Sequence, residues 1–545
     1  MLTANIIDLF DQTIYFGTLE IKNGRIARID RQGAQRPGEP YILPGFVDAH
    51  VHIESSLLTP AQFARLAVLH GTVATVSDPH EIGNVLGVRG VEYMIEDGNR
   101  VPFKFSFGAP SCVPATTFET AGAKISVRDV RKLLGMKEIG YLAEMMNFPG
   151  VLHLDPDVMA KIALAKAFNK PIDGHAPGLR GDDAQRYIDA GIETDHECFS
   201  YEEALDKAQR GMHILIREGS AARNFDALIP ILAEYPAQVM FCSDDKHPDT
   251  LLEGHINQLV VRALAKGHTL WHVLRAACLN PVLHYRLPVG LLREGDPADF
   301  IMINNLQEFH IVRTIINGEV VAEDGQSYIP DLRSEHVNQF NCTPKLPADF
   351  RVPASEASQI RVIEALDGQL ITNELIENAV VENGNIVPDI GQDILKITVV
   401  NRYQDVPPAV AFIKNFGLKH GALASSVGHD SHNIIAVGCD DDSICRAVNL
   451  VIENQGGLSA VNGNPTASSY ILPLPVAGLM TDADGYLIAQ QYAAIDQYVK
   501  KELGSLLKAP FMTLSFMVLL VIPALKLSDR GLFDGSHFQF TNLSV

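Results

Sequence analysis

Histidines and carboxylates that end apolar runs are the residues of this sequence best suited to chemistry. His50 and His52 close the stretch ILPGFVDAHVH, in which residues 46 to 49 are typical of a buried strand. Because side chains alternate faces along a strand, both imidazoles point the same way from its end. Neutral imidazole is a good ligand for Zn, Fe, Mn or Ni, so the pair predicts half of a metal site. The alternative is a pair of histidines that cap a strand and bond to a loop.

Four more residues repeat this pattern further along the chain. Glu144, His175, His196 and Asp244 appear in that order, each at the end of an apolar run. Nitrogen and oxygen ligands with no thiolate suit a pair of divalent ions bridged by a carboxylate. Two such ions supply a nucleophile at neutral pH by lowering the pKa of bound water. Hydrolysis of a C–N bond is the natural use of that chemistry.

The elements that must position these side chains alternate between short apolar runs and helical stretches across residues 44 to 289. This alternation is typical of a parallel α/β domain. Eight runs can be counted, and they begin at Phe46, Gly71, Lys104, Gly140, Pro171, Ile192, His213 and Gln238. Polar residues gathered at the carboxyl ends of eight parallel strands predict a (β/α)₈ catalytic barrel with its active site at that end.

The flanking segments predict two further units. Residues 1 to 43 alternate like a small antiparallel sheet with a hairpin turn at Asn23-Gly24, and residues 290 to 330 repeat the pattern with Asn317-Gly318. We expect both segments to close one composite β-sandwich around the inserted barrel. Residues 331 to 360 are rich in Pro, Ser and Asn and predict a linker. Residues 361 to 545 predict a C-terminal α+β domain.

Composition limits the partners of the chain. The 545 residues include 65 Asp and Glu against 44 Lys and Arg, for a formal net charge of -21. A surface with that excess repels a polyphosphate, so a nucleic-acid partner is not expected. Seven scattered cysteines without a Cys-x-x-Cys pair indicate reduced thiols in a cytoplasm. No basic leader precedes the first apolar residues, so no signal peptide is expected.

The most apolar run covers residues 511 to 527 and contains Pro523. It is shorter than the roughly 20 residues that a membrane-spanning helix needs. We therefore expect a core strand there and no membrane partner.

Several sequence motifs of the chain resemble those of a known family. PGFVDAHVH is similar to the first barrel strand of the amidohydrolase superfamily, and the similarity to one of its families, the adenine deaminases, extends over nearly the whole chain. In the predicted C-terminal domain, which is the third unit of the chain, the motif GALASSVGHDSHNIIAVG shows the same similarity. Where many superfamily members place a carboxylated lysine on the fourth strand, this chain has Glu144, as the adenine deaminases do. The barrel motifs that carry the resemblance are DAHVHIESS, SDPHEIGNV, PSCVPAT, EMMNFPGV, DGHAPGL, TDHECFS, REGS and CSDD.

The resemblance implies a metal site and a reaction. The implied ligands are His50, His52 and Asp244 for one divalent ion, and His175 and His196 for the other, with Glu144 between them. Mn²⁺ or Fe²⁺ is implied, and the donors also accommodate Zn²⁺. Asp244 would take the proton from the bridging water as it attacks C6 of free adenine. The products would be hypoxanthine and ammonia, in purine salvage.

Other residues near the expected site are candidates for proton transfer. The tetrahedral intermediate needs protons at a ring nitrogen and at the leaving amine, which a carboxyl with a raised pKa can supply. The candidates at the end of the second strand are Glu81, His80 and Asp78.

Two more groups are candidates for substrate contact. Ser243, Arg217 and Glu218 either contact the base or brace the strands. His429 and His432 belong to the sequence HDSHN in the third unit. This segment is either a self-satisfied polar turn or a loop that covers the barrel mouth, where it touches substrate or holds an additional metal.

Several alternative functions have to be weighed. The same chemistry on another purine, such as N6-methyladenine, differs only in the pocket lining. The plain Glu144 bridge argues against a cyclic-amide hydrolase of the same superfamily, and the complete set of ligands argues against a non-catalytic scaffold. Editing of nucleic acid is disfavoured because the signature His-x-Glu with Pro-Cys-x-x-Cys is absent. A small purine base is therefore the expected partner. Barrel enzymes of this type lead us to expect a homo-oligomer, a dimer.

Overall fold

The computed structural model describes residues 1 to 220, 222 to 354 and 358 to 545. The chain begins with four strands: β1 (Leu2–Asp8), β2 (Thr13–Lys22), β3 (Arg25–Ala34) and β4 (Tyr41–Pro44). The turn between β2 and β3 has positive φ at Asn23 and Gly24, 52° and 74°. Asn and Gly tolerate that conformation, which gives the hairpin the twist of its strands.

Eight parallel strands follow and form the barrel. Strands β5 to β9 pair in order in one sheet, and β10 to β12 form a second sheet. The Asp244 amide donates to the His50 carbonyl at 2.9 Å and the Glu193 amide donates to the Ile172 carbonyl at 2.9 Å, so backbone hydrogen bonds connect the sheets at both seams. The barrel strands are β5 (Phe46–Val51), β6 (Thr72–Ser77), β7 (Lys104–Ala109), β8 (Ile139–Met145), β9 (Ile172–Gly174), β10 (Thr194–Asp195), β11 (His213–Arg217) and β12 (Val239–Cys242).

Helices surround these strands and return the chain to the amino-terminal end of the barrel. A capping box starts one of them, where Ser126 and Asp129 satisfy each other's backbone amides. The helices are α1 (Pro60–Ala67), α2 (His80–Leu86), α3 (Val88–Gly98), α4 (Val127–Leu134), α5 (Phe148–Leu152), α6 (Pro156–Ala167), α7 (Gly181–Asp189), α8 (Tyr201–Gln209), α9 (Phe225–Leu228), α10 (Ile231–Glu234), α11 (Pro248–Glu253), α12 (Ile256–Ala265), α13 (Leu270–Leu274) and α14 (Asn280–Tyr285).

After the barrel the chain returns to its first strands. The sheet order is β16-β15-β14-β13-β4-β1-β2-β3, with β13 antiparallel to β4, so segments from both sides of the barrel share one eight-stranded sheet. The predicted fold class of an α/β barrel is confirmed, and the two flanking segments that were predicted to close one composite β-sandwich share this single sheet. The returning strands are β13 (Phe300–Ile303), β14 (Ile311–Ile316), β15 (Glu319–Glu323) and β16 (Gln326–Ser327).

The segment predicted as a linker has little regular structure but is bound to its surroundings. Residues 331 to 346 contain neither helix nor strand. Gln62 donates to the Asp331 carboxylate at 2.7 Å, and the Ser334 amide donates to the Asp482 carboxylate at 2.8 Å. The segment therefore connects the barrel to the C-terminal unit. Residues 355 to 357 of the predicted linker lie outside the described residues.

The C-terminal unit is built on a second eight-stranded sheet, in the order β19-β18-β23-β22-β25-β24-β26-β27. Its helices are α15 (Asp441–Glu453), α16 (Gly485–Lys501) and α17 (Pro510–Ser515). The strands are β17 (Val352–Pro353), β18 (Gln359–Ala365), β19 (Thr372–Asn378), β20 (Val380–Glu382), β21 (Asn385–Val387), β22 (Ile394–Val400), β23 (Ala409–Lys414), β24 (Ala422–Ser425), β25 (Ile434–Gly438), β26 (Gly457–Val461), β27 (Ser469–Pro473), β28 (Leu525–Ser528), β29 (Gly531–Asp534) and β30 (Gln539–Phe540).

The prediction of a core strand across residues 511 to 527 is wrong. Pro510 starts the short helix α17, the next three residues form a 3-10 turn, and only the last residues of the run enter β28. Proline favours the first turn of a helix and cannot donate within a central strand, which explains the break. Within the described part of the chain, no helix has both the length and the apolarity needed to cross a membrane.

Candidate metal centre and active site

The carboxyl ends of the first and last barrel strands bring three site residues together. The Nε2 atoms of His50 and His52 lie 3.2 Å apart, and both side chains are buried. Asp244 follows β12, where its amide and carbonyl bond to the backbone of His50 and His52. Its Oδ1 lies 3.3 Å from His52 Nε2 and 3.6 Å from His50 Nε2. The backbone pairing between β5 and β12 thus sets the spacing of these donors.

Glu144, at the end of β8, contacts histidines on two sides. Its Oε2 lies 2.8 Å from His175 Nδ1 and 3.1 Å from His196 Nε2. Its Oε1 lies 3.6 Å from His52 Nε2 and 3.4 Å from His80 Nδ1. Burial alone would raise the pKa of Glu144, but His175 and His196 hold it well below the usual range. One ionised carboxylate therefore lies between two groups of imidazoles, as a bridging ligand must.

The donor atoms form overlapping groups rather than two separate ones. His50, His196 and Asp244 offer ligand atoms within 4.8 Å of one another, and so do Glu144, His175 and His196. The buried His50 Nδ1 and His175 Nε2 have no hydrogen-bond partner among the described residues. Mn²⁺, Fe²⁺ and Zn²⁺ prefer imidazole nitrogens and carboxylate oxygens as ligands, and this cluster offers several such atoms without a hydrogen-bond partner within the ranges that the structure describes. The residues present are therefore compatible with divalent ions.

Arg217 connects Asp244 to His196 through Glu197, a residue that was not among the predicted site residues. Its guanidinium donates to Asp244 Oδ2 and Glu197 Oε1, and also to Glu197 Oε2 at 3.0 Å. Glu197 Oε1 in turn lies 3.6 Å from His196 Nε2. Burial would raise the pKa of Asp244, but Arg217 and hydrogen bonds from His50 and His52 hold it well below its usual value. Asp244 is thus kept ionised.

The end of the second strand places its three candidates beside Glu144. His80 Nδ1 lies 3.3 Å from Asp78 Oδ2, and His80 Nε2 lies 3.5 Å from Glu81 Oε1. All three side chains are buried. This part of the barrel therefore brings two carboxylates and one imidazole to the same site.

The loop that carries His429 and His432 reaches the barrel mouth. His429 Nδ1 lies 2.6 Å from Glu81 Oε1, and His432 Nε2 contacts Glu81 Oε2. Burial would raise the pKa of Glu81, but the two histidines and His80 hold it well below the usual range. Burial would lower the pKa of His429, but Glu81 raises it to about 9. The expectation of a raised pKa at Glu81 is therefore wrong, because histidines from the third unit stabilise the ionised form.

Three candidates for substrate contact, Ser243, Glu218 and His432, do not line the cavity. The Ser243 hydroxyl and amide donate to Asp48, which also bonds to His255 Nε2 at 2.7 Å. Glu218 pairs with Arg262 at 2.6 Å. Neither Ser243 nor Glu218 lines the cavity at the metal centre. In this conformation both side chains brace the strands.

A cavity lies directly above the polar cluster. Its apolar side is formed by Leu370, Phe516, Leu519 and Val521 of the C-terminal unit, which we call the roof. Phe516 stacks on His429 with ring centroids 4.5 Å apart and planes inclined by 14°. Polar side chains on one side of a cavity and apolar side chains on the other are the usual environment of a small-molecule ligand.

Comparisons with known proteins agree with this architecture. Residues 41 to 321 match the model of the amidohydrolase family, and residues 369 to 539 match the adenine deaminase C-terminal domain. The chain belongs to the amidohydrolase family, and within it to the family of the adenine deaminases. Its identity to the adenine deaminase of Salinibacter ruber is 55% over 100% of this chain and 99% of the relative. For the adenine deaminase of Sulfurovum sp. the identity is 56%, over 98% of each chain.

Proposed function

We propose that this protein hydrolyses free adenine to hypoxanthine and ammonia, in purine salvage. The observation that carries the proposal is that both matched regions build one site. Glu81 of the barrel hydrogen-bonds to His429 and contacts His432 of the C-terminal unit above the histidine and carboxylate cluster. Full-length relatives named adenine deaminase support the choice of substrate.

Two divalent ions, Mn²⁺ or Fe²⁺ with Zn²⁺ as the alternative, complete the proposed site. His50, His52 and Asp244 would hold one ion, and the other would be held by His175 and His196, with Glu144 shared. Bound there, the pair would supply Lewis acidity and activate water at neutral pH. The cluster of buried donors supports this assignment.

Asp244 is the proposed general base. It accepts a proton from the water that attacks C6, and Arg217 keeps its carboxylate ionised beforehand.

Two protons are needed, one at the ring nitrogen and one at the leaving amine. The first is proposed to come from His429, which carries it in its pair with Glu81. The second is the proton that Asp244 took from the attacking water, and the remaining O–H proton of the intermediate returns to the pair of Glu81 and His429 as ammonia leaves. His80 and Asp78 complete this proton path. The roof and His429 hold the purine, and His432 contacts Glu81 without lining the cavity.

Parallel assays test the proposed function. The protein is purified from cells grown with iron chelated and manganese supplied, and the metal per chain is measured. Ammonia release is then followed with adenine, N6-methyladenine, adenosine and a hydantoin. Two metals per chain with turnover of adenine alone are expected. Turnover of N6-methyladenine instead of adenine would show that the substrate is another purine. Turnover of the hydantoin alone would contradict purine deamination.

The proposed setting of the enzyme is a cytoplasm, and its proposed assembly is a homodimer. All seven cysteines are free, and all except Cys342 are buried, which is usual where thiols stay reduced. Light scattering after size-exclusion chromatography measures the assembly, and a monomeric mass would contradict the dimer.

Arg217→Met is expected to move the acid limb of the pH profile of kcat to higher pH by about one to three units. The base must be ionised to act, and removing the neighbouring cation raises the pKa of Asp244, so protonation disables it at higher pH. Arg262→Met is the matched control, since Arg262 pairs with Glu218 outside the cavity. An unchanged acid limb in Arg217→Met would show that Arg217 does not tune the base.

A further inference from the structure

The roof of the cavity is assembled from two chain segments that have no regular strand of their own at this point. Leu370 precedes β19, whereas Phe516, Leu519 and Val521 precede β28. All four side chains line the cavity. The position of the roof over a bound base thus depends on what holds the two segments together.

Thr372 forms the first connection between these segments. Its amide donates to the Pro523 carbonyl at 3.0 Å, and its carbonyl accepts from the Ala524 amide at 3.1 Å. Its hydroxyl donates to the Leu525 carbonyl at 2.8 Å. These bonds join the bases of the segments, but they do not reach the residues that line the cavity.

Lys526 forms the second connection and does reach them. Its Nζ donates to the Leu370 carbonyl at 2.7 Å and to the Phe516 carbonyl at 2.9 Å. Both acceptors belong to roof residues, one from each segment. A single side chain therefore joins the two halves of the roof directly.

The environment of Lys526 makes this connection unusual for a lysine. The residue is fully buried, and among the described residues its nitrogen has no carboxylate partner. Burial lowers its pKa to about 7. Lysines are seldom fully buried without a paired charge, since desolvation of the ammonium is costly. A cross-link between two backbone carbonyls at the cavity explains a lysine here, where an apolar residue would leave both carbonyls unsatisfied.

We propose that Lys526 is a positioning residue that sets the roof at the height of a purine ring and so determines the affinity for the substrate. The inference rests on the proposed function, because it assigns the cavity to the base. Contacts between the roof and the ring faces exist before and during attack at C6. Their loss is therefore expected to raise KM and to change kcat little.

Lys526→Met tests the role with a matched control. Lys396 is an equally buried lysine of the same unit, and its Nζ donates to the Phe350 carbonyl at 3.1 Å and to Asp441, away from the cavity. Lys526→Met is expected to raise KM for adenine by about 10- to 100-fold, with kcat within about threefold and metal content unchanged. Lys396→Met is expected to lower the denaturation midpoint and leave KM unchanged.

A second variant covers the case in which Lys526→Met does not fold. Lys526→Gln keeps an uncharged N–H donor for the Leu370 and Phe516 carbonyls, so a smaller rise in KM is expected. Equal KM values in the wild type and in each soluble Lys526 variant would overturn the role of Lys526. Absence of adenine turnover in the wild-type protein is a separate result, which would overturn the proposed function itself.

Discussion

Asp244→Asn is expected to lower kcat for adenine by about a thousandfold, because an amide cannot accept the proton of the attacking water. The change is isosteric, so the backbone bonds between β12 and β5 persist. The carboxamide oxygen still faces His50 and His52. The measurement is kcat per metal-loaded chain, with metal content determined on the same sample, so that loss of the base is separated from loss of a ligand.

Asp299→Asn is the matched control for this loss. Asp299 is also buried and accepts from Lys104 Nζ at 2.5 Å, but it directly precedes β13, beside the first residue of β7 and so at the opposite end of the barrel. We expect this variant to lose stability and to keep its kcat. If Asp244→Asn kept kcat within tenfold of wild type at full metal content, Asp244 would not be the base.

The sequence was sufficient to predict that the proposed metal ligands lie close together, because their positions follow from one rule about where barrel strands end. Each of His50, Glu144 and Asp244 ends an apolar run, and parallel strands in a barrel end at the same rim. The rule holds whatever the distance along the chain. It brings residues nearly 200 positions apart, such as His52 and Asp244, within 3.3 Å of each other.

Glu197 illustrates where that rule fails. It lies within the motif TDHECFS, next to His196, so alternation along a strand assigns it to the opposite face. Strand β10 ends at Asp195, after only two residues. Both His196 and Glu197 therefore belong to the loop, where neighbouring side chains are free to turn toward the same cluster. The apolar run that begins at Ile192 predicted this strand, but its pattern does not show that the strand ends at Asp195, and so it does not assign the face of Glu197.

The contribution of the third unit could not be derived from local sequence. An apolar run indicates burial but not conformation. Residues 511 to 527 form helix, turn and strand, and three of them, Phe516, Leu519 and Val521, line the cavity. The pKa of Glu81 likewise depends on His429, 348 positions away. Packing between the barrel and the C-terminal unit determines both features, and the hydrophobic periodicity of the local sequence does not indicate such packing.

Lys207→Met is expected to lower the free energy of unfolding by about 3 to 5 kcal/mol and to weaken metal binding about 10- to 100-fold. Lys207 Nζ donates to Asp195 at 2.6 Å, to Glu203 at 2.7 Å and to the Ala176 carbonyl at 2.7 Å, with all three side chains buried. Methionine leaves two carboxylates buried without their cation, which explains the loss of stability.

Metal binding is affected because the same carboxylates hold the loops that carry two proposed ligands. Asp195 accepts from the Glu197 amide at 2.7 Å, just after His196, and Glu203 accepts from the Gly178 amide at 2.8 Å, just after His175. Lys104→Met removes another buried ion pair, with Asp299, where no ligand is attached. Denaturation midpoints and competition with a metal chelator are measured for both variants. We expect both variants to lose stability equally and only Lys207→Met to bind metal more weakly, which would show that Lys207 preorganises the histidines. Unchanged metal affinity in both variants would limit the role of Lys207 to stability.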